Sequence, residues 1–284
     1  MRRVAIPTDL SENAFNAFEY AVSLFNEPGL FYLMHAYADT IYNAENVKLT
    51  DAELEALRDK KAVDCESKLT RLIDEIKTKH PNKDHQFKIM PQCGYLIDEV
   101  VQLVRSENID VLVMGTKGAT NDRNITFGSN TLQVLKNVQC PVLCIPEKYH
   151  FKKPKKLLFP TNYMIPYQKR ELELVDEVCQ YYNAELHMLY ISNFDIHSNR
   201  QRDNQTFLKE HLYNATIFFH QAEESSKTNV INDTIEKMDI DLLVMVNSRH
   251  TYLENILSKT TIDKIGLNPK IPFLILQNYI RNDS

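Results

Sequence analysis

One near-repeat constrains this chain more than any other feature. Ile109-Asp110-Val111-Leu112-Val113-Met114 is answered later by Ile240-Asp241-Leu242-Leu243-Val244-Met245. Each hexapeptide is followed by a polar stretch, a helical pattern and a proline-led apolar run. Those runs are Cys140-Pro141-Val142-Leu143-Cys144-Ile145-Pro146 and Ile271-Pro272-Phe273-Leu274-Ile275-Leu276. The openings agree as well, since Val4-Ala5-Ile6-Pro7-Thr8-Asp9 and Leu157-Leu158-Phe159-Pro160-Thr161-Asn162 stand 153 residues apart. Several segments repeated in one order mark a duplicated unit, and 284 residues is about two domains' worth of chain. The expected division is residues 1–147 and 148–284, joined by a basic, proline-bearing stretch from about Glu147 to Lys155.

Within the first half, short apolar runs alternate with longer stretches of helical period, as parallel strands joined by crossover helices require. The fold class is therefore α/β: two tandem doubly wound domains, each a five-stranded parallel sheet with helices on both faces. Strands are expected at about 3–7, 30–37, 86–90, 109–115 and 141–145, and helices at about 11–25, 51–79, 95–107 and 129–138. In the second half strands are expected at about 155–160, 184–191, 215–220, 240–246 and 272–276. The long helix sets Leu54, Leu57, Cys65, Leu69, Leu72, Ile73 and Ile76 mostly three or four apart, which makes one packing face. Ser11 stands where the first helix begins, and its hydroxyl can accept from a first-turn N–H.

Composition narrows the function classes. Hydrophobic residues are 43% and charged residues 25%, so the chain has material for real cores and no signature of disorder. No apolar stretch approaches the 18 or so residues of a membrane helix, and Met1-Arg2-Arg3 leads straight into a strand-like run; a cytoplasmic protein with no membrane partner is expected. Five scattered cysteines, Cys65, Cys93, Cys140, Cys144 and Cys179, read as reduced thiols. Residues 1–147 carry 16 basic and 21 acidic residues and residues 148–284 carry 17 of each. Neither half is basic, so no nucleic-acid partner is expected, despite the local patch Lys152, Lys153, Lys155 and Lys156.

The stretch with most chemistry is Met114-Gly115-Thr116-Lys117-Gly118, nine residues, then Gly128-Ser129-Asn130. It follows a buried strand and opens a helix, the place where a parallel sheet offers its ligand crevice and where backbone amides can meet a phosphate. Glycines also turn chains after strands. Turning alone does not require three of the chain's six glycines within fourteen positions, so the cluster favours phosphate.

Gly115, two residues, Gly118, nine residues and Gly128-Ser129 resemble the nucleotide-binding motif of the ATP-binding universal stress proteins. The resemblance extends to Ile6-Pro7-Thr8-Asp9-Leu10-Ser11, to His35-Ala36, and in outline to the second half. It implies ATP as the cofactor, with Mg through its phosphates. Pro7, Asp9 and Ala36 would lie around base and ribose, Met114 and Gly115 beside them, and Gly118, Gly128, Ser129 and Asn130 on the phosphates. Asn130 departs from the small apolar residue usual there. The family commonly dimerises along its last strand, which implies an internal pseudo-dimer of the two halves through Val142–Ile145 and Phe273–Leu276, and leaves room for a homodimer.

Asp9 also fits a turn residue ahead of Ser11, and Lys117 and Arg123 fit solvated loop cations as well as phosphate partners. The nine histidines form no HExxH and no zinc pattern; Cys140 and Cys144, four apart on an expected strand, read as core, and no metal site is expected. No GxxxxGK[ST] loop, GxSxG elbow or acid/base pair marks a catalytic residue. The expected function is a nucleotide-dependent regulatory or stress-response module; the alternative is a slow ATP-hydrolysing or nucleotidyl-transferring enzyme. In the second half Val246-Asn247-Ser248-Arg249 replaces the glycines, Ser258-Lys259 replaces Gly128-Ser129 and Asn162 replaces Asp9, so its nucleotide motif is degenerate.

Overall fold

The computed structural model describes residues 1–42, 49–116, 127–194, 198–223, 226–247 and 270–278. The chain separates into two compact units whose main division falls between Phe151 and Lys152. The first unit runs β1 (Arg2–Pro7), α1 (Glu12–Leu24), β2 (Gly29–Ala36), α2 (Ala38–Ile41), α3 (Asp51–Lys79), β3 (His85–Gln92), α4 (Leu96–Ser106), β4 (Val111–Gly115), α5 (Ser129–Asn137) and β5 (Val142–Ile145). The second runs β6 (Lys156–Pro160), α6 (Lys169–Tyr182), β7 (Glu185–Ile191), α7 (Asn199–His211), β8 (Thr216–Ala222), α8 (Lys227–Met238), β9 (Leu242–Asn247) and β10 (Phe273–Gln277).

The strand order is β3-β2-β1-β4-β5 in the first unit and β8-β7-β6-β9-β10 in the second, the same topology twice. Even the register repeats: Val4 pairs with Phe31 and Val111, and Leu157, its counterpart, pairs with Leu186 and Leu242, all in parallel. The repeated aspartate supplies the reason. Asp110 Oδ2 accepts from Arg3 N at 2.8 Å while Asp110 N donates to Arg3 O at 2.9 Å. Asp241 Oδ2 accepts from Lys155 N at 2.8 Å and Lys156 N at 3.2 Å, and its N–H donates to Lys156 O at 2.9 Å. Each carboxylate thus ties the start of the fourth strand of its unit to the start of the first, and charge-assisted bonds of this kind are among the stronger ones.

The core follows the apolar runs. Val4, Ala5, Ile6, Val111, Leu112 and Val113 are fully buried, as are Leu157, Leu158, Leu242, Leu243 and Val244, because helices cover both faces of a parallel sheet. α3 starts at the capping box of Thr50 and Glu53 and buries Cys65, Leu69, Ile73 and Ile76. Its first turns are less covered, with Leu54 and Leu57 half-buried. Ser11 caps α1 by accepting from Ala14 N at 3.2 Å. Tyr149 and Phe151 of the connecting stretch pack on α1, with ring centroids 6.1 Å and 5.4 Å from Tyr20. Cys140 lies ahead of β5, separated from it by Pro141, and does not share the strand with Cys144; both are buried. Among the described residues no helix is long and apolar enough to cross a membrane.

Candidate functional site

The order of the first unit reverses at β1, with β2 on one side and β4 on the other. The crevice of such a sheet lies beyond the carboxyl ends of these strands. β1 ends at buried Pro7, β2 at half-buried Ala36, and β4 at Met114 and Gly115. Carrying the Ala5–Leu112 register forward puts Thr8 level with Gly115. Four of the expected residues, Pro7, Ala36, Met114 and Gly115, are therefore brought to one end of three neighbouring strands.

The loop after β1 is built by short polar contacts. Thr8 continues the ladder, its N–H donating to Met34 O at 2.8 Å, while its Oγ1 accepts from Leu10 N at 3.0 Å. Asp9 is exposed, and its Oδ1 accepts from Ser11 N at 3.0 Å. Leu10 adopts φ 65°, a left-handed backbone unusual for a residue with a side chain. His35 braces this loop from β2, with Nδ1 2.7 Å from Thr8 O; facing a carbonyl oxygen, that nitrogen is the donor.

The second unit rebuilds the same turn. Thr161 Oγ1 accepts from Tyr163 N at 3.0 Å, Asn162 Oδ1 accepts from Met164 N at 2.9 Å, and Tyr163 has φ 56°. An amide serves the turn as well as a carboxylate does. The negative charge of Asp9 is therefore not required by the turn.

Past β4, Gly128 is the N-cap of α5, with no side chain to accept from the first-turn amides and no acidic residue in that turn. Ser129 and Asn130 are exposed. The helix start is docked on the strand end. Gly128 N donates to Thr116 O at 2.8 Å, and Thr131 Oγ1 donates to Gly115 O at 3.1 Å and Thr116 O at 3.2 Å. The outcome is a partial positive charge at a helix start that has no side-chain cap of its own. No described glycine has positive φ, and Gly128 sits at φ −64°. Backbone twist therefore does not require a glycine at 128, and what its missing side chain offers is close approach. Gly118, Lys117 and Arg123 lie outside the described residues, as do Arg249, Ser258 and Lys259.

Two titratable groups border this end of the sheet. Tyr37 follows Ala36 and is buried, which pushes its phenol up, with Cys93 the next contributor. Glu99 is pushed up by burial and then by Asp98. Its carboxyl lies over Gly94, where a Cβ would come within 1.8 Å of Glu99 Oε1. Thr131 and the brace from His35 escaped sequence reasoning. The one available signal for Thr131 was a hydroxyl in the first turn after Gly128-Ser129.

A family model described as the universal stress protein family matches residues 1–146. Universal stress protein MJ0531 of Methanocaldococcus jannaschii is 40% identical over 63 residues, 22% of this chain and 34% of that one. Universal stress protein MJ0577 of the same organism is 33% identical over 85 residues, 28% of this chain and 52% of that one. The chain thus spans about a third and about half of the lengths of these relatives. A crystal structure of a universal stress protein from Archaeoglobus fulgidus aligns over 97% of this chain and 96% of its own, with TM-score 0.64 and 16% identity, a likeness of fold.

Proposed function

This chain belongs to the universal stress protein family, and on that premise we propose that its first half is a nucleotide-dependent regulatory module that binds ATP. The observation that carries the reading is the start of α5. Gly128 leaves its first turn without a side-chain cap, and Thr131 anchors that turn to the carboxyl end of β4, at the sheet's switch point. A helix start of this kind favours a phosphate. Ser129 and Asn130 would hold the phosphates with Gly128, and Gly118 would complete that set. Pro7, Asp9 and Ala36 would border the base and ribose, with Met114 and Gly115 beside them. The residues fit such a ligand: the Asp9 carboxylate is exposed and can accept from ribose hydroxyls. When bound, ATP supplies a phosphate chain whose length, and whose Mg, distinguish it from ADP and AMP. That difference is what a regulatory module reads.

The test is mass spectrometry of the purified chain under native conditions, before and after incubation with ATP and Mg. The expected spectrum contains a species heavier by an adenine nucleotide. A chain that carries none and takes none up would contradict the proposal.

A further inference from the structure

The second unit keeps the strand order that opens a crevice, with β6 between β7 and β9. Its own side chains stand there. Tyr163, in the loop after β6, is 1% exposed, and Tyr190, next to the end of β7, is 6% exposed. Their rings lie 5.7 Å apart at 34°. Tyr167, from the same loop, is buried with its hydroxyl on Thr161 Oγ1 and its ring edge-on to Phe159 at 5.9 Å.

α7 fastens these rings from one side. Gln201 Nε2 donates to Asn162 O at 3.0 Å and to the Tyr190 hydroxyl at 3.3 Å, and Asn204 Nδ2 donates to Tyr163 O at 2.7 Å. Residues 201 and 204, three apart in α7, share one helical face, so a single helix makes all these contacts. From the β9 side, Asn247 Nδ2 donates to Gln277 Oε1 at 2.8 Å, both residues being 1% exposed. Asn278 then bonds three neighbours. Its N–H donates to Asn247 O at 3.0 Å, its Oδ1 accepts from Gln168 Nε2 at 3.3 Å, and its Nδ2 donates to Pro166 O.

We propose that the second crevice holds an internal ligand: the rings of Tyr163, Tyr167 and Tyr190, held by α7 and Thr161 beside a loop that Asn278 fastens at Pro166 and Gln168, fix this unit in one closed state that no small molecule enters. A ligand would have to expel buried rings and leave buried amides unpaired, and each of those steps is costly. In the first unit the position of Tyr163 is taken by half-buried Leu10 and that of Tyr190 by His35. The inference stands whatever the first unit binds.

Hydrogen exchange on the full chain tests it. Exchange in residues 156–163 and 185–191 should be unchanged by millimolar ATP. In Tyr163→Gly/Tyr190→Ala it should accelerate about a hundredfold; glycine accepts the left-handed backbone at 163, so the loss reports the missing ring. ATP-dependent protection in these segments of the unaltered chain, or wild-type exchange in the double variant, would overturn the proposal. Should the double variant not fold, nitration of the unaltered chain decides. Tetranitromethane should modify Tyr95, Tyr181 and Tyr213, which are 53%, 47% and 77% exposed, and leave Tyr163, Tyr167 and Tyr190 unmodified. Nitrated Tyr163 would contradict a filled crevice.

Discussion

The two units share a skeleton and differ at the crevice. Asp110 and Asp241 make the same tie between strand starts, and the turns after β1 and β6 repeat bond for bond, including a left-handed residue at the same place. Where the first unit has Gly115, the second has buried Val246; where the first has half-buried Leu10, the second has buried Tyr163. The bonds that hold the backbone recur in both units while the side chains at the strand ends differ, and a shared fold alone does not carry a function.

The shared skeleton gives the largest expected effect. Asp110→Ala and Asp241→Ala should each cost about 1.5–3 kcal/mol, the range for a hydrogen bond to a charged group. Urea denaturation followed by hydrogen exchange should place each loss in its own unit. Losses of very different size would mean that the two ties are not equivalent. At the crevice, Gly128→Val should lower ATP affinity about tenfold, near 1.4 kcal/mol. Because position 128 has an ordinary φ of −64°, its melting temperature should hold. Unchanged affinity by calorimetry would take the α5 start out of the site.

A smaller effect is expected from Asp9→Asn, which installs the second unit's residue in the first. The turn survives with Asn162, so stability should change by less than about 0.5 kcal/mol. Affinity for ATP should drop about two- to tenfold, the worth of one hydrogen bond. Equal affinity would leave Asp9 a turn residue only. The smallest effect is with pH. Burial pushes His85 down in the first unit. In the second, burial pushes His187 down ahead of His220 and Lys156, against Glu185. A histidine held neutral by the fold contributes stability that is present above its unfolded pKa of about 6.5 and is lost as pH falls through the folded value. An NMR titration placing either imidazole above its unfolded value would reverse the sign.

Much of the fold was legible because it is written in local patterns. The repeated hexapeptides located β4 and β9, the apolar runs located the strands, and Ser11 and the spacing along 51–79 located α1 and α3. Second-unit helices were harder. α7 buries only Leu208, so its apolar period is too weak to read. The left-handed backbones at Leu10 and Tyr163 were hidden because neither is glycine or asparagine, the residues that advertise that region. Of the candidate site, Gly115 and Gly128 were legible, where spacing carries the signal. Its supports were not: the hold of Thr131 on Gly115 O and the brace from His35 to Thr8 O join distant segments with no periodic trace. The packing of α7 against Tyr163 and Tyr190 is of the same kind.

On the proposed reading one unit binds a nucleotide and the other is closed by its own side chains. Calorimetric titration of the full chain with ATP and Mg, read together with hydrogen exchange on the same samples, tests it most directly. The expected stoichiometry is one nucleotide per chain, with new protection at residues 114–116 and 128–131 and none at 156–163 or 185–191. A stoichiometry of two, or protection appearing in the second unit, would contradict it.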